Sequence, residues 1–153
     1  MTGVGLVQAL SAYVRDVVKD YRLESDGGGE KSVTVYEQII PEEVFDREDR
    51  DQYHPLIGVT LSTLEDDERA EATVDLTIGT YSEDADGWRD LLNLTDCVRR
   101  RLLQKQILER RYRLIKPLTV EILERQPVPF FYGFMTARYM MYQPEEERRM
   151  RNA

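Results

Sequence analysis

"AEATVDLTIGTYSEDADGWRDLLNL", residues 70–94, changes its period halfway. Up to Tyr81 it alternates. Val74, Leu76 and Ile78 share one side, and Thr73, Asp75 and Thr77 the other, which predicts a half-buried strand over 70–81. From Trp88 the apolar residues return every three or four positions. Trp88, Leu91, Leu92, Thr95, Val98, Leu102 and Leu103 predict a helix over 87–108 with a buried stripe. Between the two, Glu83, Asp84 and Asp86 crowd in front of Gly87. A strand that turns directly into a helix, with further strands on both sides, predicts an α+β fold.

The elbow itself invites a metal reading. Calcium loops of the EF-hand type place ligands at positions 1, 3, 5 and 12, with glycine at 6. With Gly87 at position 6, Ser82 falls at 1 and Asn93 at 12, where a bidentate glutamate belongs. The register fails at both ends. A catalytic carboxyl would need an apolar pocket that shifts its pKa, and a polar helix mouth is the opposite. The expectation is helix initiation: Asp84 or Asp86 caps free N–H groups, and Trp88 anchors the helix in the core.

Working outward, residues 4–22 carry an amphipathic stripe of Val7, Leu10, Val14, Val17, Val18 and Tyr21 and predict a first helix. Ser25–Gly29 breaks the chain. It lacks the Gly-Lys-Ser/Thr and following helix of a phosphate loop. Residues 32–40 and 55–64 predict strands, the second forming a hairpin with 70–81. Residues 41–54 are acid-rich and apolar-poor and predict a long exposed loop. Residues 111–124 predict a strand in which Pro117 marks an edge or bulge. Residues 130–142, FFYGFMTARYMMY, predict a last strand that is apolar on both faces. The expected fold is therefore a mainly antiparallel sheet of five strands with two helices on one face, in the order αβββαββ. Residues 1–142 form one domain, and 143–153 a flexible tail.

The 153 residues carry a net charge of −8, but unevenly. Residues 1–86 hold 7 Lys/Arg against 21 Asp/Glu, and residues 87–153 hold 14 against 8. Either the halves interleave in space and neutralise each other, or copies meet acidic face to basic face. The overall sign disfavours sequence-independent nucleic-acid binding, which needs clustered cations. No apolar run approaches the roughly 18 residues a membrane helix needs, and no signal peptide is expected. The lone Cys97 excludes an intrachain disulfide. His54, the only histidine, reads as a plain loop residue.

Two segments are candidate partner surfaces. The first is basic, Arg99, Arg100, Arg101, Lys105 and Arg110, and is either a solvated face, a surface for an acidic protein partner, or a nucleic-acid contact. The second is the last strand. Either it is a central strand covered on both sides within the subunit, or one of its faces meets a neighbouring subunit, with Arg138, Met135, Tyr139 and Met141 suiting an interface rich in Tyr, Met and Arg.

Several phrases in the same order resemble the tail terminator, or tail completion, proteins of tailed bacteriophages. They are "VYEQIIPEE" (35–43), "HPLIGV" (54–59), "TIGTYSEDADGWRDLLNL" (77–94) and "RYRLIKPLTVEILERQPVPFFYGFMTARY" (111–139). The resemblance implies a non-enzymatic α+β subunit without a cofactor. It implies a ring, usually a hexamer, that caps the tail tube and docks on the head-completion connector, with DNA only passing through its channel. The expected location is the virion neck, and the host cytoplasm during assembly. The alternatives are another head–tail joining protein, or a nucleic-acid-binding phage protein that uses the basic 99–113 segment.

Overall fold

The computed structural model describes residues 2–45 and 53–147. The middle of the acidic loop 41–54 and the end of the tail 143–153 lie outside the described residues.

Thr2 starts the first helix, α1 (Gly3–Val18), by accepting the Gly5 N–H on its hydroxyl at 3.0 Å. Two short strands, β1 (Arg22–Glu24) and β2 (Glu30–Ser32), form a ribbon around the glycine loop. Strand β3 (Thr34–Glu37) follows, then a 3-10 turn at Glu42–Phe45. Next come β4 (Leu56–Asp66), β5 (Ala70–Tyr81), α2 (Trp88–Gln104), β6 (Ile107–Leu108), β7 (Tyr112–Ile122) and β8 (Phe130–Met141). Six strands make one mixed sheet in the order β3-β4-β5-β8-β7-β6.

The α+β class, the two helices, the β4–β5 hairpin and the bulge at Pro117 agree with the sequence reading. The register of β7 on β8 slips between Ile115 and Thr119, on either side of that proline. The five-strand antiparallel sheet needs correction. The expected first strand divides at Val33 into β2, which pairs with β1, and β3, which runs parallel to β4. A parallel partner needs a connection of about a dozen residues or more, and the chain between Glu37 and Leu56 provides it. The first helix stops at Val18, short of Tyr21, and the second at Gln104.

Both helices cover one face of the sheet. Leu6, Leu10 and Val14 of α1 and Leu91, Leu94, Val98 and Leu102 of α2 join Val74, Leu76, Ile78, Met135 and Tyr139 in one buried cluster. The register explains why. Val59, Leu76, Met135 and Val120 stand in one row across β4, β5, β8 and β7. The pleat sends them all to the same side.

This decides between the two readings of the last strand. It is a central strand covered within the subunit on this face, and the interface expected at Met135 and Tyr139 is corrected. Met135 and Tyr139 are 0% exposed beneath the helices, so they pack within the subunit and offer a neighbour nothing. Burial raises the pKa of the Tyr139 hydroxyl, and Tyr13 adds to the shift. On the other face of β8, Phe130 and Tyr132 are buried, while Phe134 and Arg138 reach solvent.

Candidate functional site

The acidic elbow is a staircase of small turns. Ser82 Oγ accepts the Asp84 N–H at 3.1 Å, Asp84 Oδ1 accepts the Asp86 N–H at 3.0 Å, and the Asp84 carbonyl accepts from Gly87. Gly87 itself is the N-cap and provides no side chain, so neither Asp84 nor Asp86 caps α2 as expected. A Cβ on Gly87 would meet Ser82 Cβ at 2.5 Å and Phe131 Cε2 at 3.0 Å. Phe131 packs beside Gly87 in the core, whereas Trp88, expected as the anchor, is 46% exposed with the Arg89 guanidinium 5.3 Å from its ring. Among the described residues no group of three or more His, Cys, Asp or Glu could hold a metal ion.

Charge gives the molecule a sharper feature. Residues 1–86 contribute β3, β4 and β5, and residues 87–153 contribute β6, β7 and β8. On the strands themselves β3–β5 carry Glu37, Glu65, Asp66, Glu71 and Asp75 and no cation, while β6–β8 carry Arg113, Lys116 and Arg138 against Glu121, so the β5–β8 boundary divides the sheet into an acidic side and a basic side. The halves do not interleave. Among the described residues one ion pair joins them, Arg138 to Glu71 at 3.3 Å. The Arg15–Glu37, Arg69–Glu71, Arg99–Asp96 and Arg100–Asp96 pairs all stay within their own half.

The basic residues fall into three settings. Arg99 and Arg100 both pair with Asp96 one turn back, and the Arg99 hydrogen bond holds the Asp96 carboxyl below its ordinary pKa. Arg101 and Lys105 lie over the Tyr13 ring at 5.9 and 5.2 Å, while Tyr13 donates to the Arg101 carbonyl. These four help dock α2 against α1 and against itself. The third setting is different. Arg110, Arg111 and Arg113, with Ile107, Met140 and Tyr142, line an open cavity of about 350 Å³. The three arginines have no ion pair among the described residues. Met141, expected as an interface residue, forms part of this cavity's wall and is 9% exposed.

The turn that carries these arginines is strained. Glu109 and Arg110 have φ of 51° and 58°, and the Arg111 N–H closes the turn on the Leu108 carbonyl at 2.9 Å. Consecutive left-handed residues favour Asn-Gly, not Glu-Arg. Arg110→Gly is expected to stabilise the fold by about 1 kcal/mol, raising Tm by about 2–4 °C. Differential scanning calorimetry checks it; an unchanged or lower Tm would count against strain at this turn.

His54 departs most from its sequence reading. It is 0% exposed, and so is the side chain of Asp26. His54 Nδ1 lies 3.0 Å from Asp26 Oδ2, and its Nε2 lies 2.6 Å from the Tyr132 hydroxyl. Asp26 Oδ1 also accepts the His54 backbone N–H at 3.2 Å. Gly28 and Gly29 adopt φ of 98° and 69°, a path closed to most residues, and it is this glycine loop that turns Asp26 inward. An Asp–His–Tyr chain can order protons, but this one is sealed beneath Phe130, whose ring centre is 4.7 Å from the imidazole. It joins the β1–β2 ribbon to β8: His54 lies 28 positions from Asp26 and 78 from Tyr132. No local signal in the sequence marks that meeting.

The chain matches no protein-family model, and no curated protein matches it at a significant level.

Proposed function

We propose that this protein is a non-enzymatic ring subunit, the tail terminator of a tailed bacteriophage. In this reading it caps the tail tube, joins it to the head connector, and leaves a channel for DNA. The phage role rests on the sequence resemblance. The ring rests on one observation, the division of the sheet into an acidic and a basic side.

The physical argument concerns symmetry. A two-fold dimer made through one edge of the sheet alone sets that edge against its own copy, and so against like charge. Head-to-tail contact instead sets the acidic side of one copy against the basic side of the next. Repeating one heterologous contact closes a ring when the rotation permits.

The test is mass in solution by light scattering, with negative-stain imaging. The expected result is a closed ring, a hexamer on the resemblance, formed alone or on contact with tube protein. A strict monomer at every concentration that also ignores tube and connector proteins would overturn the reading. Salt-dependent retention on DNA by the free chain would favour the nucleic-acid alternative.

A further inference from the structure

We infer that the contact between copies is the acidic tip of the β4–β5 hairpin, Glu65–Glu68, seated in the arginine cavity at the β6–β7 turn of the next copy. The inference rests on head-to-tail assembly, not on the phage role.

Three observations converge on it. First, the cavity holds three guanidinium groups without an ion pair among the described residues, in a chain of net charge −8. Unpaired arginines around an apolar floor of Ile107 and Met140 suit a carboxylate-bearing peptide, which they can grip in bidentate fashion. Second, the chain itself carries a matching ligand. Glu65, Asp66, Asp67 and Glu68 are consecutive and exposed at a hairpin tip. Gln143 donates from one amide nitrogen to Asp66 Oδ1 and the Asp67 carbonyl, both at 3.2 Å, which steadies the tip without neutralising it.

Third, tip and cavity form no ion pair with each other within one copy among the described residues. The register places Ala70 opposite Met141, and Met140 opposite Arg113, so both features lie at the same end of the sheet. There β5 and β8 stand between β4 and β7. Strands are spaced about 4.8 Å apart, so the tip at β4–β5 lies on the order of 10 Å from β7. A neighbour placed beside the sheet brings its own tip or cavity to the unmatched partner. The end of the ring then alternates acid and base.

Charge exchange tests this on the full chain. One variant carries Glu65→Lys, Asp67→Lys and Glu68→Lys; the other carries Arg110→Glu, Arg111→Glu and Arg113→Glu. All six positions are exposed, and circular dichroism verifies folding of each variant. Each alone should remain monomeric where the wild type assembles, because tip and cavity then carry like charge. Mixed one to one, they should assemble to the wild-type mass, since each variant's tip suits the other's cavity. Assembly of either variant alone, or failure of the mixture while the wild type forms rings, overturns the contact and leaves the ring standing. If wild type and mixture both stay monomeric even with tube protein, both readings fall. A Cys97→Ser chain carrying Asp67→Cys and Arg111→Cys gives a second readout. Oxidation should yield a ladder of linked copies, and unlinked monomer from an assembled ring would again overturn the contact.

Discussion

Replacing His54 by alanine is expected to destabilise the fold by about 3–5 kcal/mol, the cost of leaving a buried charge without its partner. For a chain of 153 residues this lowers Tm by roughly 10 °C or more. The argument runs from geometry. Asp26 has a side chain with no exposed surface, and its carboxylate accepts from both the His54 ring and the His54 backbone. Alanine keeps the backbone donor and removes the imidazole. A second variant separates charge from packing. Adding Asp26→Asn to His54→Ala removes the orphaned charge and should recover part of the loss. Tyr132→Phe leaves the imidazole Nε2 without this partner and should cost about 1–3 kcal/mol. Chemical denaturation of the set decides the matter. A His54→Ala loss below about 1 kcal/mol, the range of an ordinary surface change, would show that the buried chain does not hold β8 to the glycine loop.

Met135→Ala is the second large effect, at about 2–5 kcal/mol for a buried methionine cut back to alanine. Met135 is 0% exposed and stands in the row that runs from Val59 through Leu76 to Val120. Its neighbour Phe134 points to the other face and is 36% exposed. Phe134→Ala should therefore cost less, about 1–2 kcal/mol of lost burial. The pair discriminates the two accounts of the last strand. If Met135 faced a neighbouring subunit, its truncation would weaken assembly while leaving the monomer's Tm unchanged. The buried position requires the reverse, a lower Tm for the monomer itself.

Periodicity made the frame legible. The alternation of Val74, Leu76 and Ile78 marked β5 to the residue, and the Leu91–Val98–Leu102 stripe marked the buried side of α2. These signals are local, because pleat and helix repeat within a few residues. What failed was set by partners distant in sequence. The last strand is apolar at both parities, so its pattern alone could not say which side lay under the helices. Pairing of Leu76 with Met135 decides that, across 59 positions. Trp88 satisfied the helical stripe but stands at the exposed start of α2. His54 and Asp26 looked like two loop residues until β8 brought Tyr132 against them.

The candidate site was legible in part. The division of charge at residue 86 was visible in the sequence, but its meaning depended on strand order. Had β8 inserted between β3 and β4, the halves would have interleaved. Arg110 was recognised as basic, whereas Arg111 and Arg113 were not singled out. Their neighbours in sequence, Arg99 to Lys105, looked equivalent to them. Only the structure shows that Asp96 and Tyr13 engage the helical group, while the turn group has no ion pair among the described residues.

At the acidic side of the sheet, Gln38 acts as a stopper. Its side-chain amide donates to the Leu61 carbonyl at 3.0 Å and accepts the Leu61 N–H at 2.9 Å, imitating one more residue of β3 with its own backbone at φ 66°. A bare strand edge would let sheets join by backbone hydrogen bonds, which ignore identity and release slowly. Gln38 closes that position on β4, and the proposed carboxylate–guanidinium contact needs no strand pairing there; such pairs loosen with ionic strength. Copies joined in this way can be separated and corrected by changing salt, without any strand having to be peeled from another.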